Sequence, residues 1–261
     1  MDRSRGVLKA EGVVLRKYFL RETSYILVVY TKDFGKIKGV MKGVRKPYPQ
    51  FAGNFEIFTR CQLIFYKKNR RTLDLITQCE ALDFFLPIRK DIERLTYANY
   101  FIELVDVVSD DYDVNEDLYQ VLCESLKMLS TTSSAKRTAR IFELKFLKAL
   151  GMAPEFERCV LCTAQIDNQS SFLFSVRDGG LVCGMCVKKN GGTNLSISLG
   201  TIKFIRNIQR SPMVKTMGIK VSREVGKETE KILGRFMKYH IDRPVKSLKF
   251  LDDIQMAGVK L

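Results

Sequence analysis

The stretch Ser24-Tyr25-Ile26-Leu27-Val28-Val29-Tyr30-Thr31-Lys32-Asp33-Phe34-Gly35-Lys36-Ile37-Lys38-Gly39-Val40-Met41-Lys42 decides the fold. Two runs rich in β-branched and aromatic residues flank the turn triplet Asp33-Phe34-Gly35. They belong to strand-like segments near 22–32 and 35–43, and similar runs lie near 10–19, 55–67 and 72–82. In Lys36–Lys42 the basic residues fall on one face, but Ile37 and Val40 do not keep period two; a bulge or twist near Gly39 would account for the slip. Lys67-Lys68-Asn69-Arg70-Arg71 is the second turn candidate. Five short strands in about 80 residues suggest a small barrel of the oligonucleotide-binding kind. A five-stranded SH3-like barrel is the alternative that strand count leaves open.

After Pro87 the period changes. Ile88, Ile92, Leu95, Ile102, Val105 and Val108 keep helical spacing. Asn115 with Glu116 and Asp117 reads as an N-cap and acidic first turn of a helix reaching Leu129. Ser134 opens the next, whose apolar residues lie on most sides, as in a central helix; Gly151 and Pro154 end it. Further helices are expected near 198–210, 222–240 and 247–255, with Ser198, Ser222 and Ser247 as caps. The resulting class is α+β. An oligonucleotide-binding barrel over 1–84 precedes a helical domain over 85–261, with a cysteine-rich insert at about 155–195.

That insert carries Cys159-Val160-Leu161-Cys162 and, twenty residues on, Cys183-Gly184-Met185-Cys186. Two residues between thiolates let one tight knuckle place both sulfurs on a metal, and four thiolates complete a tetrahedral shell. Ser170–Val176 reads as a strand and Asp178-Gly179-Gly180 as a hairpin turn, a zinc-ribbon layout. One structural Zn²⁺ per chain, on Cys159, Cys162, Cys183 and Cys186, is expected, because a closed four-sulfur shell leaves no open position for water. A redox pair would need one C-x2-C in a βαβ setting, which is absent. Thr163 stands after the first knuckle, where a residue tolerating positive φ, commonly Gly, often sits. Cys61, Cys79 and Cys123 lie in apolar patterns and read as core.

The 261 residues carry a formal net charge of +15, and the 46% hydrophobic and 28% charged fractions are ordinary for a globular chain. Such a charge is an argument about polyanionic partners, not about fold. It divides as +9 over 1–84, −2 over 85–150, zero over 151–195 and +8 over 196–261, two basic ends around a neutral middle. The first 84 residues also hold 12 of the 27 Phe and Tyr. Cations interleaved with aromatics are what single-strand binders use, tracking phosphates while rings stack bases. The candidate DNA-binding set is Arg16, Lys17, Lys36, Lys38, Lys42, Arg45, Lys46, Tyr48, Lys67, Lys68, Arg70 and Arg71. Tyr18, Phe19, Phe51, Phe65 and Tyr66 are the neighbouring aromatics, most of them expected in a barrel core.

Other chemistries find little support. No phosphate loop and no G-x-G-x-x-G occurs, and His240 is the only histidine, in a setting that favours packing or capping. In the acidic run Asp110–Asp117 a calcium-loop register would put Glu116 where Gly is needed, so a solvated loop and helix start is expected. A metal-dependent nuclease built on that run, or an RNA-binding zinc-ribbon protein, are the competing functional readings. The start of the chain lacks the apolar stretch of a signal peptide, and no run approaches a membrane span. A reducing cytoplasm is therefore expected.

The sequence also resembles the RecO family of bacterial DNA recombination and repair proteins, over nearly its whole length. The resemblance is carried by Gly12–Arg16, Glu22–Leu27, Thr31–Lys36 and Lys42–Lys46. Further carriers are Arg140–Leu147 with Leu150, Gly151 and Pro154, then Gly179–Cys183 around the cysteines, and Lys246–Leu251. Family members commonly have Gly where this chain has Thr163, and some lack the full cysteine set. The resemblance implies an N-terminal oligonucleotide-binding barrel and a helical domain with a zinc-ribbon insert. It implies a non-enzymatic, nucleoid-associated mediator that binds single- and double-stranded DNA and anneals complementary strands. The partners it implies are RecR, the acidic C-terminal tail of single-stranded-DNA-binding protein and, indirectly, RecA. Arg140 with Phe142 matches a position the family uses for that tail.

Overall fold

The computed structural model describes residues 6–44, 55–68, 73–166, 172–190, 194–241, 243 and 245–247. Of the expected site residues, Arg45, Lys46, Tyr48, Arg70 and Arg71 lie outside them, as does most of the helix expected at 247–255. Packing divides the chain into two compact units, residues 1–131 with 245–261, and residues 132–244. The change from strand to helix near residue 84 falls inside the first unit.

The first unit opens with five strands, β1 (Val7–Leu20), β2 (Ser24–Thr31), β3 (Gly35–Met41), β4 (Arg60–Tyr66) and β5 (Asp74–Asp83). They close into a barrel in the order β1-β2-β3-β5-β4, with β1 pairing both β2 and β4. The β3–β5 pair is parallel, the rest antiparallel. This crossover closure is the oligonucleotide-binding arrangement and settles the choice that strand count left open. Val14, Leu27, Val29, Ile37, Leu63, Phe65 and Ile76 fill the interior.

β3 carries no bulge. Its register to β2 is continuous, with Gly35, Ile37, Gly39 and Met41 inward and Lys38, Val40 and Lys42 outward. The expected slip at Gly39 was a misassigned face: the inward position there is the glycine, where a Cβ would come within 2.6 Å of the Ile76 side chain. The irregularity is in β1 instead, between Val14 and Arg16. Before it, Val14 pairs with Val29 on the core side; after it, Lys17 pairs with Leu27 there, while Arg16 and Tyr18 turn outward.

Three helices complete this unit, α1 (Leu86–Arg89), α2 (Ile92–Val108) and α3 (Glu116–Thr131). The Asn115 side chain accepts from Leu118 N at 2.8 Å, the expected cap. The Asp110–Asp113 loop between α2 and α3 lies along β3, where Tyr112 N donates to Lys36 O at 2.9 Å and Tyr112 Oη bonds the Asp74 carboxylate. Glu103 on α2 accepts from the backbone N–H groups of Lys246 and Ser247, which ties the returning tail to this unit.

The second unit is built on α4 (Ala135–Ala149), buried on nearly every side as expected of a central helix. Ser134 caps it through Arg137 N at 3.3 Å. A hairpin follows, β6 (Phe172–Ser175) and β7 (Gly180–Cys183), then α5 (Gly184–Asn190) and β8 (Asn194–Ser196). The unit ends with α6 (Leu199–Arg210), α7 (Met213–Thr216) and α8 (Arg223–His240). Ser198 and Ser222 cap α6 and α8 as the sequence suggests. Among the described residues no helix is long and apolar enough to cross a membrane.

Gly35 combines a φ of +63° with a Cβ direction that runs into the carbonyl of Asp113. Gly35→Ala is expected to destabilise the chain by about 1–3 kcal/mol or more. Denaturant unfolding checks this; an unchanged midpoint would mean that the 110–113 loop is not seated on β3.

Candidate metal centre and nucleic-acid interface

The four cysteines of the insert converge. The Sγ atoms of Cys159, Cys162, Cys183 and Cys186 all lie within 4.8 Å of one another. Cys162 and Cys183 are 3.8 Å apart, and a tetrahedral shell with Zn–S bonds of about 2.3 Å needs sulfurs about 3.8 Å apart. The first pair sits on a knuckle in which Thr163 N donates to Cys159 O at 2.8 Å and Thr163 adopts φ +60°, the conformation expected of that position. The second pair is presented differently from the first. Cys183 ends β7 and Cys186 lies in the first turn of α5, so a strand-to-helix junction takes the place of a second loop. The turn between β6 and β7 contains Gly179 at φ +77°, as its Asp-Gly-Gly sequence implies.

Four converging sulfurs are a donor set suited to a soft cation. Burial raises the Cys159 thiol, but N–H groups of Cys183, Cys162 and Leu161 outweigh it and bring the thiol down to about 6. Contact with the Cys162 thiol, together with burial and Cys183, pushes Cys186 up to about 12. Four sulfurs this close do not all ionise unless positive charge sits among them, and a bound dication deprotonates its thiols outright. Among the described residues this is the one group of three or more Cys, His, Asp or Glu placed to hold a metal. The acidic run is engaged elsewhere, with Asp111 on Lys38 at 2.9 Å and Asn115 capping α3. His240 packs against Phe236 with ring centroids 4.3 Å apart and bonds Val176 O at 2.9 Å, the packing role expected of it.

The barrel divides the expected DNA-binding cations into separate environments. On the outside of β1, β2 and β3 the registers set Tyr18, Ile26 and Val40 side by side, continuing through Leu75 to Tyr66. The next row holds Arg16, Val28 and Lys38, and Lys42 lies just past Met41 on the other side. An apolar and aromatic row thus runs between two rows bearing cations. Tyr18, 45% exposed, was absent from the expected set because only the β1 irregularity turns it outward. Lys38 and Lys42 are exposed there, as are Lys67 and Lys68 where β4 leads toward β5. The Lys67 ammonium stands 3.9 Å from the Tyr112 ring centroid.

Two of the expected cations are not on that surface. Lys36 is buried, donating to Asp106 O at 2.7 Å and pairing with its carboxylate at 3.2 Å. Lys17 faces the barrel end, paired with Glu56 and 5.0 Å from the Tyr25 ring centroid. Arg16 is outward but paired with Asp106. In the second unit Arg140 and Phe142 are both buried. Arg140 is held between Glu143 at 2.8 Å and Glu230 at 3.1 Å.

Residues 5–85 match the family model described as Recombination protein O N terminal, and residues 89–249 the one described as Recombination protein O C terminal. The chain belongs to the RecO family. The DNA repair protein RecO of Syntrophus aciditrophicus is 31% identical over 257 residues, covering 98% of this chain and 99% of the relative. That of Pelotomaculum thermopropionicum is 33% identical over 249 residues, covering 95% of each, and that of Moorella thermoacetica 30% identical over 249 residues, covering 95% and 92%. The RecO models meet between residues 85 and 89, where strand gives way to helix in this chain. Within the RecO C-terminal match lie both the four-cysteine centre and the buried Arg140 cluster.

Cys183→Ser is expected to abolish binding of one metal ion per chain, read by elemental analysis of the purified protein. Metal retained at the wild-type ratio would place the ion elsewhere. Arg140→Ala removes one side of a buried ion pair and is expected to cost about 3–5 kcal/mol in denaturant unfolding.

Proposed function

We propose that this RecO-family chain is a non-enzymatic recombination mediator that binds single- and double-stranded DNA, anneals complementary strands and assists RecA loading. The observation that carries the reading is the outer barrel row of Tyr18, Ile26 and Val40 between the cation-bearing rows of β1 and β3. Bases stack on Tyr18, while Lys38, Lys42, Lys67 and Lys68 take the phosphates. Arg45, Lys46, Tyr48, Arg70 and Arg71 extend this set in the proposal. Lys38 exchanges Asp111 for a phosphate, at a cost of about 0.2–1 kcal/mol for so exposed a pair. Phosphate neutralisation with counterion release then supplies most of the affinity.

In this reading the four cysteines hold Zn²⁺, whose contribution is structural: it cross-links the knuckle, the hairpin and α5. RecR and the acidic tail of single-stranded-DNA-binding protein are the proposed partners, with RecA downstream, in the bacterial cytoplasm and on the nucleoid. For the tail, Arg140 is the proposed cation, and an incoming carboxylate takes the place of Glu230, the more exposed of its two acids. The names carried by the relatives, DNA repair protein RecO, support the mediator reading over an RNA-binding or nuclease one.

Fluorescence anisotropy of a labelled single-stranded oligonucleotide against salt tests the barrel site. Affinity should fall with a log–log slope of about −0.7 per neutralised phosphate. Lys38→Ala with Lys42→Ala should flatten it by about 1.4. Tyr18→Ala should weaken binding by about 1–3 kcal/mol with the slope unchanged. Asp111→Asn, which frees Lys38, should tighten binding by up to about fivefold. Salt-insensitive binding, or no binding, overturns the reading.

A further inference from the structure

The second basic end of the chain is used by neither the metal centre nor the barrel. Much of it lies on α8, where Lys227, Lys231, Arg235 and Lys238 follow spacings of four, four and three residues. That spacing gathers them on one face about 17 Å long. The opposite face, with Thr229, Ile232, Leu233, Phe236 and Met237, is buried. The acids of this helix are largely committed to other elements. Glu228 accepts from Ser198 N at 3.0 Å and from the Ser198 and Thr201 hydroxyls, and Glu230 pairs with Arg140. Glu224 sits in the first turn beside Arg223 and Lys227. Lys231, Arg235 and Lys238 are exposed and have no acid within ion-pair distance among the described residues.

This face runs into a cavity of about 930 Å³ lined by Arg177, Arg235, Lys238 and Tyr239, with Leu161 and Cys186 of the metal centre on its wall. Arg177 stands on the β6–β7 turn, which His240 holds against the end of α8 through Val176 O at 2.9 Å. Three cations thus face one carboxylate, that of Asp178, which is engaged by the Ser175 hydroxyl at 2.6 Å. The helix dipole accounts for Lys238 alone, since it acts only within the last turn and leaves Arg177 and Arg235 unexplained. Tyr239 is 59% exposed beside them. Two guanidinium forks suit phosphate or base faces, an exposed ring offers a stacking platform, and a cationic rail leading away suits an extended polyanion.

We propose that this groove, with the α8 rail, is a second single-strand nucleic-acid site. Phosphates pair with Arg177, Lys231, Arg235 and Lys238, and a base stacks on Tyr239. The proposal rests on the DNA-annealing reading above and deepens it: each compact unit carries its own strand site, so one chain holds two strands.

The chain has no tryptophan, so Tyr239→Trp in the full, metal-loaded protein reports on this position alone. Titration with an oligothymidylate at low salt should quench its emission, and added salt should reverse the quench. Adding Arg177→Ala, Arg235→Ala and Lys238→Ala should abolish the quench, while anisotropy still shows oligonucleotide bound through the barrel with its salt slope unchanged. The same three substitutions in the otherwise wild-type chain should slow strand annealing by about tenfold or more, through loss of the linked second site. Unchanged emission while anisotropy shows binding overturns this proposal and leaves the barrel reading standing. Absence of binding by anisotropy overturns both the barrel reading and this proposal. Emission that responds to an acidic peptide but not to the oligonucleotide overturns the proposal in favour of a peptide groove.

Discussion

The seating of the Asp110–Asp113 loop against β3 is the contact on which the N-terminal unit depends. β3 and β5 pair over only three residues, Gly39–Met41 with Asp74–Ile76, so the start of β3 needs another partner. The loop supplies it. Tyr112 bonds the backbone of Lys36 and the carboxylate of Asp74, while Asp106 and Asp111 take the ammonium groups of Lys36 and Lys38. Gly35 is required because this approach leaves no room for a Cβ. A stretch that reads as a solvated acidic loop is thus a structural closure of the barrel, and its Asp111, with Asp106 near the end of α2, sets which cations stay available to a ligand.

The insert solves a different problem. Its hairpin strands are four residues long and α5 is seven, too short to hold together by their own packing. The hydrogen bonds that bind the knuckle to the hairpin, from Val160 N to Leu181 O and from Leu181 N to Glu155 O, bring the two cysteine pairs into one cluster. A cation on those four sulfurs would cross-link the knuckle, the hairpin and α5, which couples metal binding to local folding in a site of this kind.

The net charge takes on meaning only when partners are assigned. Four cations of the expected DNA-binding set, Arg16, Lys17, Lys36 and Lys38, are paired with Glu56, Asp106 and Asp111. On α8 the sorting runs the other way, with Glu228 and Glu230 spent on capping and on Arg140 while Lys231, Arg235 and Lys238 face solvent. Lysines alike in the sequence therefore differ in what they can bind, according to whether an acid from a distant segment reaches them.

Local chemistry made much of this legible. The four-cysteine spacing, the caps at Asn115, Ser134, Ser198 and Ser222, the central helix around Phe142 and the turn glycines are short-range effects, and each was readable from neighbouring residues. The phase of β1 was not, because the irregularity between Val14 and Arg16 turns Tyr18 outward and Lys17 inward, and nothing local marks it. Nor could the sequence show that Lys36 is buried against Asp106, seventy residues on, or that Arg140 is held by Glu143 and Glu230. The sequence by itself determined the barrel strands, the longer helices, the paired cysteines and the sign of the charge, since these follow from spacing and propensity within a few residues. Which cations remain free, and which rings face outward, only the tertiary structure decided, because register and long-range ion pairing depend on segments far apart in the chain.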